Sequence, residues 1–296
     1  MGEITYGLAL SGGGTRGAAH VGVLKALEEG GLLPKAIAGT SAGGIVAGLY
    51  ASGMDIGSME RLVRLLEKEG KSYLDPDYTA LAEFVPRLLT GMPVTLKGLI
   101  RGNRLQEYFC LLTGRRHLDQ GELPFVIPAV DLNSGDTIAF TNVESIQPVE
   151  HLRPEWDAYL CEAMMASASV PAVFAPRVMG DYLLVDGGVT DNLPADMLRA
   201  CGISNILAVD LGGPYEKPED HSVFEVISHS FSIMSRRLKE CGSETENFLL
   251  NPPLSPRAGL LSFDTMVDSM ERAYEYTKGM LPKVRRWLVG EGGVNK

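Results

Sequence analysis

The sequence predicts an α/β protein, a three-layer α/β/α sandwich around a mainly parallel sheet. Short apolar runs alternate with helical patterns along the chain, the order that sets strands side by side in parallel with helices over both faces. Glycine-rich turns stand where the first two strands should end. Hydrophobic content of 45% and charged content of 22% suit a protein with a sizeable core and a polar surface.

The elements follow in order. Ile4 to Leu10 is an apolar strand, the loop Gly12-Gly-Gly-Thr-Arg-Gly17 follows, and Ala18 to Glu29 places apolar residues at helical spacing before Gly30-Gly31. Lys35 to Ala38 predicts a second strand that runs on to Ser41. Ala36 to Met54 carries no charge and by length alone could cross a bilayer. Its glycines and the Gly39-Thr40-Ser41 break make a buried strand, turn and helix the better reading. Further strands are predicted at Phe125 to Val130, Thr137 to Thr141, Tyr182 to Val185 and Ile206 to Val209. Helical patterns cover Ser58 to Glu69, Glu162 to Ser167, Ala195 to Ala200, Phe224 to Lys239 and Asp264 to Leu288. With no internal repeat and no separating linker, residues 1–296 read as one domain. Its motif-bearing core spans about 6–210, with a flap at 55–106 and a C-terminal helical part at about 222–290.

Composition excludes several classes. A net charge of −10 argues against a nucleic-acid partner, since phosphate contacts need clustered Lys and Arg. Cys110, Cys161, Cys201 and Cys241 form no Cys-x-x-Cys pair, so they are expected to be buried and reduced, with no zinc or redox centre. The N-terminus shows neither a secretory pattern nor a myristoylation pattern, and a cytoplasmic location is expected. From Phe84 to Gln106 there is no Asp or Glu, while Arg87, Lys97, Arg101 and Arg104 lie among apolar residues. Two packed helices would account for this segment. The functional alternative is a flap touching anionic lipid headgroups, peripherally, at the inner membrane face.

Two glycine motifs carry the chemistry. Gly12 to Gly17 satisfies Gly-x-Gly-x-x-Gly between a strand and a helix, the setting of a dinucleotide site. Such a site needs an acidic residue at the end of the second strand to hold a ribose, and Gly39-Thr40-Ser41 stands there instead. What remains is a loop whose N–H groups, chiefly those of Gly12, Gly13 and Gly14, converge at a helix N-terminus. There they favour a phosphate or an oxyanion. Gly39-Thr-Ser-Ala-Gly43 is a Gly-x-Ser-x-Gly turn, which exposes a serine hydroxyl between a strand and a helix. Parallel neighbouring strands would bring both motifs to one edge of the sheet.

A serine hydroxyl needs a base. The chain has five histidines. His20 lies on the helix after the glycine loop, His117, His151 and His221 lie in polar stretches, and His229 lies within a helix. In an α/β-hydrolase order only His221 and His229 come late enough. The other candidates are carboxylates at strand ends, Asp131, Asp186 and Asp210, and spacing does not rank them. Partial burial can raise a carboxyl pKa far enough to accept a serine proton directly.

Gly12-Gly-Gly-Thr-Arg-Gly17, Gly39-Thr-Ser-Ala-Gly43 and Asp186-Gly-Gly188, with "ASASVPAVFAP" from Ala166 and "DGGVTDNLP" from Asp186, together resemble the patatin-like phospholipase family over about Tyr6 to Asp210. The resemblance implies a Ser-Asp dyad without histidine, with Ser41 as nucleophile and Asp186 as base. It implies an oxyanion hole at Gly12, Gly13 and Gly14, and a lipid ester substrate, phospholipid or lysophospholipid. Arg16 would support the loop or meet a lipid phosphate. No metal and no organic cofactor is implied. Two alternatives stay beside the hydrolase: a serine acyltransferase on the same fold, and a non-catalytic phosphate-binding protein using the glycine loop.

Overall fold

The structure, a computed structural model, describes residues 6–79, 82, 98–212 and 246–290, with scattered positions between 226 and 238. The chain opens with β1 (Gly7–Leu10), α1 (Ala18–Glu29), β2 (Ala36–Gly39), α2 (Ala42–Ala51) and α3 (Ile56–Glu69). It continues through α4 (Asn103–Leu112), β3 (Phe125–Asp131), β4 (Thr137–Thr141), β5 (Leu152–Glu155) and α5 (Leu160–Ser167). It closes with β6 (Arg177–Met179), β7 (Tyr182–Asp186), α6 (Ala195–Ala200), β8 (Ile206–Val209), β9 (Phe248–Leu250) and α7 (Met266–Leu288). All the described strands join one sheet of order β5-β4-β3-β2-β1-β8-β9, with β7 on β3 and β6 on β7. Its centre, β3-β2-β1-β8-β9, is parallel.

Alternation along the central strands builds two unequal faces. Leu8, Leu10, Ile37, Leu207 and Val209 join the large core that includes buried residues of α1, α2, α3, α5 and α7. Ala9, Ala36, Ala38, Ile206 and Ala208 point the other way, where α6 covers them with Ala195, Met197 and Leu198. Small residues on that face let a short helix lie close to the sheet.

One strand relationship sets the site. The first part of β3 pairs with β2, Val126 opposite Ala38. Further along, on the edge that β2 vacates, β3 pairs with the antiparallel β7, Ala129 opposite Asp186. Pro128 falls in the interval between, where its missing N–H breaks no ladder to either neighbour. Strands β2 and β7 therefore run towards one another along β3, and their C-terminal ends converge.

Several expectations need correction. Cys110 on α4 and Cys161 on α5 are not reduced thiols but form a disulfide across 51 positions of sequence. Sequence distance hid it because α4 and α5 pack side by side. Cys201 is free, and Cys241 lies outside the described residues. The stretch expected as a C-terminal helical part also contains β9, and most of Phe224 to Lys239 falls outside the described residues. Within the expected flap, α3 is part of the body, with Ile56, Met59 and Val63 buried and Glu60 paired with Lys25 of α1. Arg101 pairs with Asp77 at 2.6 Å and Arg104 is exposed, while Arg87 and Lys97 lie outside the described residues. No helix among the described residues is long and apolar enough to cross a membrane.

Candidate active site

Ser41 stands between β2 and α2 with φ 55° and ψ −120°, a left-handed conformation that a non-glycine residue adopts only under constraint. The surroundings impose it. A Cβ on Gly39 would lie 2.1 Å from the Gly43 carbonyl oxygen, so the turn closes only over a glycine. Thr40 N–H donates to the Leu10 carbonyl (3.1 Å), Thr40 Oγ1 to the Asp191 carbonyl (3.0 Å) and Ser41 N–H to Ser167 Oγ (2.9 Å). Ser41 is then held at the N-terminus of α2, where the helix dipole favours negative charge.

Asp186 is the last residue of β7. Its N–H donates to the Ser169 carbonyl (2.9 Å) and its Oδ1 accepts the Gly188 N–H (2.7 Å). Burial pushes its carboxyl up to about 7, against the opposing pull of the Ser41 hydroxyl and the Gly188 N–H. Oδ2 is buried and lacks a well-formed hydrogen bond, so the Ser41 hydroxyl acts on this carboxyl without being locked to it. Catalytic hydrogen bonds commonly tighten only when substrate binds. The structure thus brings together the two residues singled out by the family resemblance.

The glycine loop lies against the same turn. A Cβ on Gly12 would sit 3.2 Å from Ser41 Cβ. The Gly12 N–H is committed to the Asn192 carbonyl (3.1 Å), which corrects the expectation that all three glycines offer donors. Gly13 and Gly14 N–H groups have no protein acceptor among the described residues. Arg16 Nε donates to the Gly13 carbonyl (3.0 Å). The loop is also tied to a segment the motifs did not reveal. Thr15 N–H donates to the Leu260 carbonyl (3.0 Å) and Thr15 Oγ1 to the Gly259 carbonyl (2.9 Å).

Asp131, Asp210, His20, His117 and His151, among the other base candidates, are engaged elsewhere. Burial would raise the Asp131 carboxyl, but donors from Leu183, Ser134 and Asn133 outweigh it and hold the group below the usual carboxylate range. Asp210 Oδ1 accepts the Gly212 N–H (2.8 Å). His20 Nε2 lies 2.8 Å from the Ser11 carbonyl, and burial pushes its pKa down to about 4, so the ring is neutral. His117 faces Asp119 and Asp157, His151 faces Asp136, and His221 lies outside the described residues. Asp191 was not singled out by sequence. Burial, and after it the negative charge of Asp196, push its carboxyl well above the usual carboxylate range. Among the described residues no group of three or more His, Cys, Asp or Glu side chains could hold a metal ion.

Comparison with known proteins agrees with this architecture. Residues 8–199 match the patatin-like phospholipase family. An uncharacterized NTE family protein of Mycobacterium tuberculosis (strain CDC 1551 / Oshkosh) is 33% identical over 253 residues, covering 84% of this chain and 36% of that protein. Human patatin-like phospholipase domain-containing protein 6 is 29% identical over 214 residues, covering 72% of this chain and 14% of that protein. The chain therefore spans about a third or less of the length of these relatives. Among solved structures, VipD from Legionella pneumophila superposes with a TM-score of 0.50 at 14% identity, over 95% of this chain and 67% of that one. That likeness concerns the fold alone. With the family matched across both glycine motifs and Asp186, the chain belongs to the patatin-like phospholipase family.

Proposed function

We propose that this protein is a lipid acyl hydrolase that cleaves carboxylic esters of phospholipids or lysophospholipids through a Ser41–Asp186 dyad. The observation that carries the reading is the meeting of a strained, buried serine at a tight turn with a buried carboxyl held near neutral pKa. A carboxyl at about 7 is matched to accepting a proton near neutral pH. The lipid class follows from the family, the phospholipid or lysophospholipid choice from the same reading.

In this mechanism Asp186 accepts the hydroxyl proton as Ser41 Oγ attacks the ester carbonyl carbon. The N–H groups of Gly13 and Gly14 face the developing oxyanion, each donor contributing about 10²–10³ in rate, with the N-terminus of α2 beneath. The proton passes to the leaving alcohol and an acyl-enzyme remains. Water activated by Asp186 then releases the fatty acid and restores Ser41. None of these steps calls on a metal or an organic cofactor.

The test is fatty-acid release from phosphatidylcholine and lysophosphatidylcholine by the wild type and Ser41→Ala. Release by the wild type and none by the variant supports the reading. Equal release by both, or none by the wild type, contradicts it.

A further inference from the structure

We infer that Asn192 is a positioning residue of this site, holding the Gly12–Gly14 loop and the Asp186–Gly188 turn at a fixed spacing around Ser41. The inference rests on the dyad reading above. Its main-chain carbonyl accepts the Gly12 N–H at 3.1 Å, which ties the glycine loop directly to the segment following the base.

The side chain fills the space where three segments meet. A Cβ on Gly12 would come within 2.4 Å of Asn192 Oδ1 and 3.2 Å of Ser41 Cβ. A Cβ on Gly188 would come within 3.1 Å of the same Oδ1 and 3.0 Å of Asp186 Oδ1. The carboxamide is therefore wedged between two bare Cα atoms, one on the oxyanion loop and one on the turn that donates to the base. At Gly12 the carboxamide leaves no room for a side chain, and at Gly188 it crowds one together with Asp186 Oδ1.

The wedge itself is fixed from both sides. Asp191 N–H donates to the Gly187 carbonyl (3.0 Å), the Asp191 carbonyl accepts Thr40 Oγ1 (3.0 Å), and Leu193 N–H donates to Asp191 Oδ1 (2.9 Å). Loop, nucleophile turn and base turn thus share one short stretch of chain. Removing the carboxamide leaves the main-chain tether intact but lets the glycine loop settle towards Gly188. The Gly13 and Gly14 donors then leave the place where the oxyanion forms.

The experiment compares the wild type with Asn192→Ala in two assays, labelling of Ser41 by a fluorophosphonate and turnover of a short-chain nitrophenyl ester. Both are expressed per folded molecule, with thermal unfolding measured in parallel. A displacement of about 1 Å at a reacting centre costs on the order of 10²-fold. The expected result is a loss of that size in kcat and in labelling rate, with KM changed by less than about threefold. Asn192→Ser, which leaves less space empty, is read in the same way and shows a loss of about tenfold; it decides the matter if the alanine chain does not fold. Variants that label and turn over like the wild type overturn the proposal while leaving the dyad standing. A loss that tracks only the unfolded fraction overturns it as well. If the wild type is not labelled at Ser41, the dyad reading fails and takes this inference with it.

Discussion

Ser41 and Asp186 reach the same point along one edge of β3 from opposite directions, the first beyond the end of parallel β2 and the second at the end of antiparallel β7. Two strand ends that meet head-on bring a serine and a carboxyl together without an intervening histidine. Ser167, the last residue of α5, and Ser169, two residues on, hold both arrivals through Ser41 N–H and Asp186 N–H.

The pH dependence follows from the base. Asp186 must be ionised to accept the serine proton, and its carboxyl is raised to about 7. The profile of kcat/KM should therefore rise through an acidic limb near pH 7, and Asp186→Asn should abolish the activity that defines it. A limb near the ordinary carboxylate range, between about pH 4 and 5, would show that Asp186 is not the titrating base.

The same group costs stability. Its folded-state pKa lies above the unfolded value of 3.8, so the folded state binds the extra proton. That contribution is fully present below the unfolded pKa and is lost as pH rises towards the folded pKa. Above pH 7 the buried carboxylate destabilises the fold by roughly 4 kcal/mol, from the size of the shift. Asp186→Asn should therefore gain stability over wild type between about pH 4 and 7 and hold a plateau at higher pH. Denaturant unfolding at pH 3 and pH 8 checks this. An equal difference at both values contradicts it.

The disulfide gives an independent handle. Cys110–Cys161 closes a loop of 51 positions, for which chain entropy predicts about 4 kcal/mol of stabilisation. Thiol titration of the denatured, unreduced protein should find two free thiols per chain, those of Cys201 and Cys241, and four after reduction. Reduction should lower the denaturation midpoint clearly. Four free thiols before reduction would show that the bridge does not form.

Particular residues show what could be read in advance. The turn at Ser41 was legible because Gly39 and Gly43 bracket a serine between an apolar strand and an apolar helix, and both glycines prove sterically required. Asp186 was not separable by spacing from Asp131 and Asp210, since all three end strands. The family resemblance picked it out, and strand direction, which periodicity does not encode, explains why it is the one that reaches Ser41. Strands β5, β6 and β9 were missed because they are three or four residues long and largely half-exposed. Ser167, Asn192 and Leu260 act through contacts more than a hundred residues away in sequence, and no local pattern announces such partners.

The most direct test of the account is hydrolysis of a short-chain nitrophenyl ester by the wild type, Ser41→Ala, Asp186→Asn and His229→Ala, each shown to be folded by circular dichroism. The account predicts an active wild type, two dead dyad variants and a histidine variant close to wild type. An active Asp186→Asn enzyme, or a dead His229→Ala one, would contradict it.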